Sequence, residues 1–311
     1  MQDIILEKPI FILSIDFELA WGFILRPQNR IMKLLQSDIP KAKGTTDRLL
    51  KLLSTYNIQS TWAVTGHLFL EPEEGKVFNN ASMPQFTEGW LGWDKYTEIA
   101  NKPLYSGREL VEKISSSLPK HEIGLHSFFH LPFSGCSHAV AEAEIQKGIQ
   151  IAKKRGVSLT SFVFPENKIG HLDVLKNHGF QIYRGKDATR YDKASSFFAR
   201  KLDGAIDKIL AQPVSPSRDS GIWAIPGSIY FFDEQTPFTL VPRAKFGLKR
   251  AIQANKIFHI WLHPWNLLLY GSLEKDLAEL LQLVAQYREK GNLLNMTMAE
   301  LASYLSRRNE Q

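Results

Sequence analysis

Ile10-Phe11-Ile12-Leu13-Ser14-Ile15, closed by Asp16-Phe17-Glu18, is the stretch from which the architecture can be read. The run is almost continuously apolar rather than alternating. That pattern fits a strand buried on both faces, as in a parallel sheet or a barrel. Asp16 and Glu18 are two apart, so if the extended backbone persists they point to the same side. Carboxylates that end an apolar strand are expensive to bury and usually have a partner. The plainer reading is a helix cap or a surface turn.

Outward from this stretch the chain alternates short apolar runs with amphipathic segments. Further strands are expected at Gln59–Val64, Glu122–Leu125, Leu159–Phe164, Phe180–Tyr183, Ile222–Ile225 and Ile257–Leu262. Helices are expected at Pro40–Tyr56, Glu109–Ser117, Ala139–Arg155, His171–His178, Lys245–Asn255 and Leu273–Glu289. The third is closed by Gly156 and the fourth by Gly179, as C-terminal caps. Arg26–Ile39 reads as a loop, and Ser106-Gly107-Arg108-Glu109 as a capping box. Glu71–Pro103 lacks clear periodicity and carries Trp90, Trp93 and Tyr96, which suits a functional excursion or lid at about 71–103. Gly185–Ser220 carries the least pattern; part of Phe197–Ala211 is compatible with a helix. The chain 1–311 reads as one α/β domain with parallel strands under helices, either a barrel or an open doubly wound sheet.

The 311 residues, 44% hydrophobic and 23% charged, are ordinary for a globular chain able to bury a large core. The net charge of +6 is modest. Its densest cluster, Lys153-Lys154-Arg155, falls at a helix end, where cations complement the dipole, so nucleic-acid binding is not expected. An anionic small substrate remains compatible. Cys136 is the single cysteine, which excludes an intrachain disulfide and a cysteine metal cluster. Pro9–Ile15 is seven residues long, and no run reaches the ~18 apolar residues of a membrane span. No signal peptide or transmembrane segment is expected, and the location expected is cytoplasmic.

Gly124-Leu125-His126-Ser127-Phe128-Phe129-His130 supplies the second signal. Two histidines spaced i, i+4 can converge on one metal ion, although either can equally be a core or surface residue. Asp16, Glu18, His126, Pro165 and His263 all fall just past the C-terminal ends of expected strands, the face that carries chemistry in α/β barrels. This favours the barrel. His126, His130 and one carboxylate of the Asp16/Glu18 pair make a catalytic zinc-type ligand set. The other carboxylate is then a candidate general base, and His263 a candidate proton donor to a leaving group. Such parts suit hydrolysis of an amide or ester. His67, His138, His171, His178 and His259 read as surface, capping or structural residues, and Trp21 and Trp265 as core rather than sugar-stacking platforms.

These residues resemble those of the polysaccharide deacetylases, the NodB-homology or carbohydrate esterase family 4 group. Ser14-Ile15-Asp16-Phe17-Glu18 is similar to their first motif, and His126-Ser127-Phe128-Phe129-His130 to their second, His-Ser/Thr-x-x-His. Phe164-Pro165-Glu166-Asn167 is a weaker likeness of the third, and Ile260-Trp261-Leu262-His263 is similar to the last, an apolar strand ending in the acid histidine. The resemblance implies a distorted (β/α)7 barrel. It also implies Asp16 as general base, Glu18, His126 and His130 as ligands of a divalent ion such as zinc, and His263 as acid. The acids are spaced Asp-x-Glu, as in an atypical branch. Two departures stand. The third motif usually supplies an arginine that orients the base, whereas Glu166, Asn167 and Lys168 occupy this stretch. The later Asp-rich motif that tunes the acid histidine has no counterpart near Trp223-Ala224-Ile225-Pro226.

The activity implied is removal of an acyl group, acetyl first, from an amino sugar. With a cytoplasmic location, the carbohydrate is expected to be nucleotide- or lipid-linked, in synthesis of a surface polysaccharide. Opening of a cyclic imide or ureide ring is the alternative on the same fold. A catalytically silent carbohydrate-binding or scaffold domain is the alternative that the absent arginine favours.

Overall fold

The computed structural model describes residues 6–75, 78, 83–87, 90–188, 211–232 and 237–309. Ile10–Phe17 (β1) is buried along its whole length and lies inside a ten-stranded sheet. The other strands are Thr61–Val64 (β2), Glu122–Leu125 (β3), Ser161–Val163 (β4), Ile182–Arg184 (β5), Ser217–Asp219 (β6), Ile222–Ile225 (β7), Ile229–Tyr230 (β8), Ile257–Leu262 (β9) and Leu294–Asn295 (β10). Their order is β6-β7-β5-β4-β3-β2-β1-β9-β8, with β10 paired to the start of β1. Every pairing is parallel except the β6–β7 hairpin. The sheet curls into part of a barrel, in keeping with the distorted (β/α) barrel expected.

The two faces of β1 do different work. Phe11, Leu13, Ile15 and Phe17 pack with Leu49 and Leu53 of the Ile39–Thr55 helix and Leu277, Leu280 and Leu281 of the Leu273–Glu289 helix. Ile10 and Ile12 belong to a second cluster with Ala63, Val163, Ile182, Trp223 and Ile257. The Met298–Asn309 helix closes that cluster through Met298, Leu301, Ala302 and Leu305. Its first N–H groups bond Thr61 Oγ1 and Glu122 Oε2, at the N-terminal ends of β2 and β3. Two-residue periodicity carries the same face of β1 onward to Ser14 and Asp16 at the other end of the sheet. One end is thus an apolar plug, and the other is polar yet still buried.

All seven expected strands are present, together with the short β6, β8 and β10. Four expectations change. Arg26–Ile39 is not all loop: Asn29 accepts from Ile31 N and caps a helix at Arg30–Ser37. The expected capping box does not form, because Gly107 is the N-cap of Arg108–Ser116 and no side chain bonds there. The helix expected from Lys245 begins at Pro237 and runs to Gln253. The Met298–Asn309 helix lies beyond the last segment assigned from sequence. The helical reading of residues 197–210 lies outside the described residues. The 71–103 excursion contains the short helices Pro72–Gly75, Pro84–Thr87 and Trp93–Ile99.

Candidate metal centre and catalytic pocket

The C-terminal ends of β1, β3 and β9 bring Asp16, Glu18, His126, His130 and His263 to one pocket of about 190 Å³. Glu18 follows the last residue of β1 and is 3% exposed. The chain turns tightly just beyond it, where a Cβ on Gly22 would lie 2.0 Å from Glu18 Oε1. Glycine is therefore required at 22 for this carboxylate to occupy its place. His126 follows β3 directly, and its Nδ1 donates to Val163 O at 2.8 Å. That bond fixes the tautomer and leaves the Nε2 lone pair facing Glu18. The next residues wind back through two left-handed positions, Ser127 (φ 53°) and His130 (φ 58°). This brings the second imidazole beside the first, with ring centroids 4.8 Å apart.

Glu18 Oε2 lies 2.8 Å from His130 Nε2 and 3.5 Å from His126 Nε2. A carboxylate oxygen and imidazole lone pairs at such distances repel one another unless a proton or a cation lies among them. Tetrahedral zinc with bonds of 2.0–2.1 Å would set its ligand atoms about 3.3 Å apart, and this set fits. These three residues are a group able to hold a metal ion among the described residues.

Asp16 meets different company. Arg184, the last residue of β5, grips both its oxygens, Nη1 to Oδ1 at 2.6 Å and Nη2 to Oδ2 at 2.7 Å. Both side chains are almost fully buried. Burial alone raises the Asp16 carboxyl; the guanidinium, with smaller help from His126 and His263, offsets it and holds the group below its ordinary value. Arg184 is in turn held. Its Nη1 donates to Ser14 Oγ at 3.2 Å, Nη2 reaches Asn167 Oδ1 at 3.5 Å, and its plane lies 4.3 Å over the Trp261 ring. The Ser14 hydroxyl donates to His259 Nε2 at 2.9 Å, while His259 Nδ1 donates to Pro226 O at 3.0 Å. Burial pushes His259 down to about 3, so it is a neutral support for this network.

His263 closes the pocket from β9. Its Nε2 stands 3.8 Å from Asp16 Oδ2 and 3.6 Å from Glu18 Oε1. Its ring stacks on Trp265 with centroids 4.4 Å apart, and Trp265 Nε1 donates to Glu18 Oε1 at 3.3 Å. Behind it, the Tyr230 hydroxyl accepts from Asn266 Nδ2 at 2.8 Å and lies 3.2 Å from His263 Nδ1. Asn266 Oδ1 accepts the His263 backbone N–H at 2.7 Å. Burial lowers the His263 pKa, and the two carboxylates work against that shift. At the mouth, Arg26 bonds Glu166 Oε1 at 2.9 Å.

Arg184, Tyr230 and Asn266 were not singled out from the sequence. The arginine absent from Phe164–Asn167 is supplied by the next strand, and a charged residue ending Ile182-Tyr183-Arg184 carried the same strand-end signal that picked out Asp16. The partner of the acid histidine comes from β8 rather than from near Trp223–Pro226. His67 is neither at the surface nor in the pocket. It is buried, donates from Nδ1 to Tyr105 O at 3.1 Å, and packs against Trp21. His171 and His178 cap a helix and His138 begins one, as expected, while His259 has the structural role described above. Trp21 is core, whereas Trp265 lines the pocket as well as packing.

Residues 34–183 match the family model described as polysaccharide deacetylase, a segment that holds His126 and His130 but none of Asp16, Glu18, Arg184 or His263. No curated protein matches the chain. Among solved structures, a Mycobacterium smegmatis protein named as a polysaccharide deacetylase is 14% identical, with 99% of this chain and 96% of that one covered and a TM-score of 0.63. A Pseudomonas aeruginosa PAO1 protein named likewise is 12% identical, over 96% and 91%, with a TM-score of 0.59. The 4-alpha-glucanotransferase of Thermococcus litoralis is 15% identical, over 96% of this chain and 40% of that one, with a TM-score of 0.51. At these identities the likeness is one of fold, and a shared fold does not carry the chemistry with it. Among the described residues, no helix is long and apolar enough to cross a membrane.

Proposed function

We propose that this chain, whose residues 34–183 match the polysaccharide deacetylase model and whose motifs resemble the NodB-homology, carbohydrate esterase family 4 group, is a metal-dependent deacetylase. In this reading it hydrolyses the N-acyl, first of all N-acetyl, group of an amino sugar. The observation that carries the reading is the division of the two carboxylates. Asp16 is bound at both oxygens by Arg184, while Glu18 faces the Nε2 atoms of His126 and His130.

Glu18, His126 and His130 would hold the ion, zinc being the first candidate from the donor set. When bound, a divalent cation supplies Lewis-acid polarisation of the amide carbonyl and makes water more acidic. The remaining work falls to the chain. Asp16, kept ionised and oriented by Arg184, accepts the proton of the attacking water at Oδ2. His263 delivers a proton from Nε2 to the departing amine nitrogen, with its Nδ1 against the Tyr230 hydroxyl. The walls of Trp261 and Trp265 exclude water from the carboxylates. A cavity of about 190 Å³ is below the usual range for a drug-sized ligand, which suits the acylamino end of one sugar residue with the remainder in solvent. A nucleotide- or lipid-linked amino sugar, in cytoplasmic synthesis of a surface polysaccharide, fits that requirement. Arg184 supplies the base-orienting cation whose absence had favoured a silent binding domain.

Metal content and acetate release test the reading together. The purified protein is expected to hold one divalent ion per chain and to release acetate from N-acetylated amino sugars. His126→Ala is expected to lose both. No stoichiometric metal under metal-replete conditions overturns the proposal, and ring opening of an imide without acetate release replaces it with the alternative amidohydrolase.

A further inference from the structure

The loop that carries both imidazoles is shaped from outside the pocket by a residue that touches none of the proposed reacting groups. Glu144 lies on the His138–Lys154 helix and is fully buried. Its Oε2 accepts from Phe128 N at 2.7 Å and from Phe129 N at 2.9 Å, the backbone N–H groups midway between His126 and His130. Its Oε1 accepts from Gln85 Nε2 at 2.7 Å, on the Pro84–Thr87 helix of the excursion. A carboxyl with no exposed surface is costly to bury unless several donors compensate it, and here the donors, the Phe128 and Phe129 N–H groups, the Ser127 hydroxyl and the Gln85 amide, come from the loop and the excursion.

The loop has reason to need such a hold. Two of its five residues, Ser127 and His130, sit at positive φ without being glycine, a conformation that persists only where the surroundings over-determine it. Other backbone partners complete the fixing. Gly66 N donates to Ser127 O at 2.8 Å, His67 N to Phe128 O at 3.0 Å, and Leu131 N to Ser127 Oγ at 2.8 Å. The carbonyls of the loop are thus held from the β2 side and its N–H groups from Glu144. Released from Glu144, the two N–H groups would be buried without acceptors, and the turn that sets one imidazole against the other would lose its strongest tie.

We propose that Glu144 is a positioning residue of the metal centre: by binding the Phe128 and Phe129 N–H groups it sets the geometry with which His126 and His130 meet a divalent cation. The inference rests on the metal-centre reading above. It predicts a loss of metal affinity from a residue outside the pocket, and it makes the acceptor oxygen, rather than the charge, the feature that matters. In Glu144→Gln the amide oxygen can take both N–H groups. Its NH2 then faces Gln85, whose own amide oxygen has no other partner among the described contacts and can accept after a flip.

The test is cobalt(II) and zinc(II) binding by chelator competition on the full chain, with the visible absorption of the cobalt form as the geometric readout. Glu144→Ala is expected to bind about 10- to 100-fold more weakly, the usual range for an outer partner of a metal ligand, with altered d–d bands. Glu144→Gln is expected to restore affinity and spectrum to near wild type. Should Glu144→Ala not fold, Glu144→Asp, one methylene too short to reach both N–H groups, carries the same expectation at smaller size. A folded Glu144→Ala or Glu144→Asp with wild-type affinity and spectrum overturns the proposal, as does a Glu144→Gln no better than Glu144→Ala. If the wild-type chain itself binds neither ion, the metal-centre reading falls and this inference with it.

Discussion

Asp16 and Glu18 leave the same strand two residues apart, each 3% exposed, and they meet opposite surroundings. Asp16 faces a permanent cation, with both oxygens taken by Arg184. Glu18 faces two imidazole nitrogens, one of them a lone pair fixed by the Val163 carbonyl, and its nearest permanent donor is the Trp265 N–H. The difference teaches that side-chain length does not assign the roles in an Asp-x-Glu pair. A carboxylate already neutralised at both oxygens is a poor ligand but a well-oriented base. A carboxylate set against imidazole nitrogens calls for a proton or a cation among them, the place a metal ion would take.

The sharpest way to break that comparison is to neutralise each acid in turn. Asp16→Asn is expected to keep the metal and to lower kcat by about 10²- to 10⁴-fold, the range for removing a general base. Glu18→Gln is expected to lose most of the metal, read by elemental analysis after dialysis. If the metal loss follows Asp16→Asn instead, the two roles are exchanged.

Arg184→Met tests the same division from the cation's side. It leaves Asp16 as a buried charge without its partner, which costs about 3–5 kcal/mol of stability. It should also lower kcat by about 10²-fold with KM little changed, because an unoriented base lies off its attack line. A variant as stable and active as wild type would mean that Arg184 does not orient the base.

Arg184 also marks where the sequence stopped being informative. Strands such as Ile10–Ile15 and Ile257–Leu262 are legible because burial on both faces leaves unbroken apolar runs, and an acid or histidine at the end of such a run stands out. The pair His126/His130 is legible because its spacing is local. Arg184 directly follows the expected strand Phe180–Tyr183, but a lone cation there names no partner; Tyr230 ends a run of two residues, too short to register as a strand. Their pairing with Asp16 and His263 depends on sheet order, which no local pattern contains. Glu144 was illegible for another reason. On a helix with Glu142 and Gln146 as neighbours it looks solvated, and only the loop packed above it makes it a buried acceptor. The Met298–Asn309 helix, by contrast, carries its signal openly in the spacing Met298, Leu301, Ala302, Leu305.

A smaller effect is expected from the support behind the base. His259 is neutral in the folded chain, pushed down to about 3 chiefly by burial, whereas an exposed histidine in the unfolded chain titrates near 6.5. Between those values the unfolded state binds a proton that the folded state does not. The contribution is therefore complete above pH 6.5 and falls away toward pH 3, by roughly 1.4 kcal/mol per pH unit. Unfolding midpoints from pH 4 to 7 should fall more steeply for wild type than for His259→Gln, which offers the same donor and acceptor without titrating. Parallel curves would show that another group dominates the acid limb.

The mildest expected change lies on the side of the acid histidine. The Tyr230 hydroxyl is the neutral group at His263 Nδ1, and its ring stacks on Trp261 with centroids 4.2 Å apart. Tyr230→Phe keeps that stacking and removes only the oxygen. Asn266 Nδ2 loses its acceptor as well, but His263 loses one hydrogen bond at a group that must change protonation state during turnover, about 1 kcal/mol, or roughly fivefold in kcat. KM and metal content should not move, since the hydroxyl reaches neither the proposed ligands nor the mouth of the pocket. A tenfold rise in KM with kcat unchanged would instead place Tyr230 among the substrate contacts and leave His263 without a tuning partner on this side. An unchanged kcat and KM would mean that Asn266, through its bond to the His263 backbone, suffices to hold the ring.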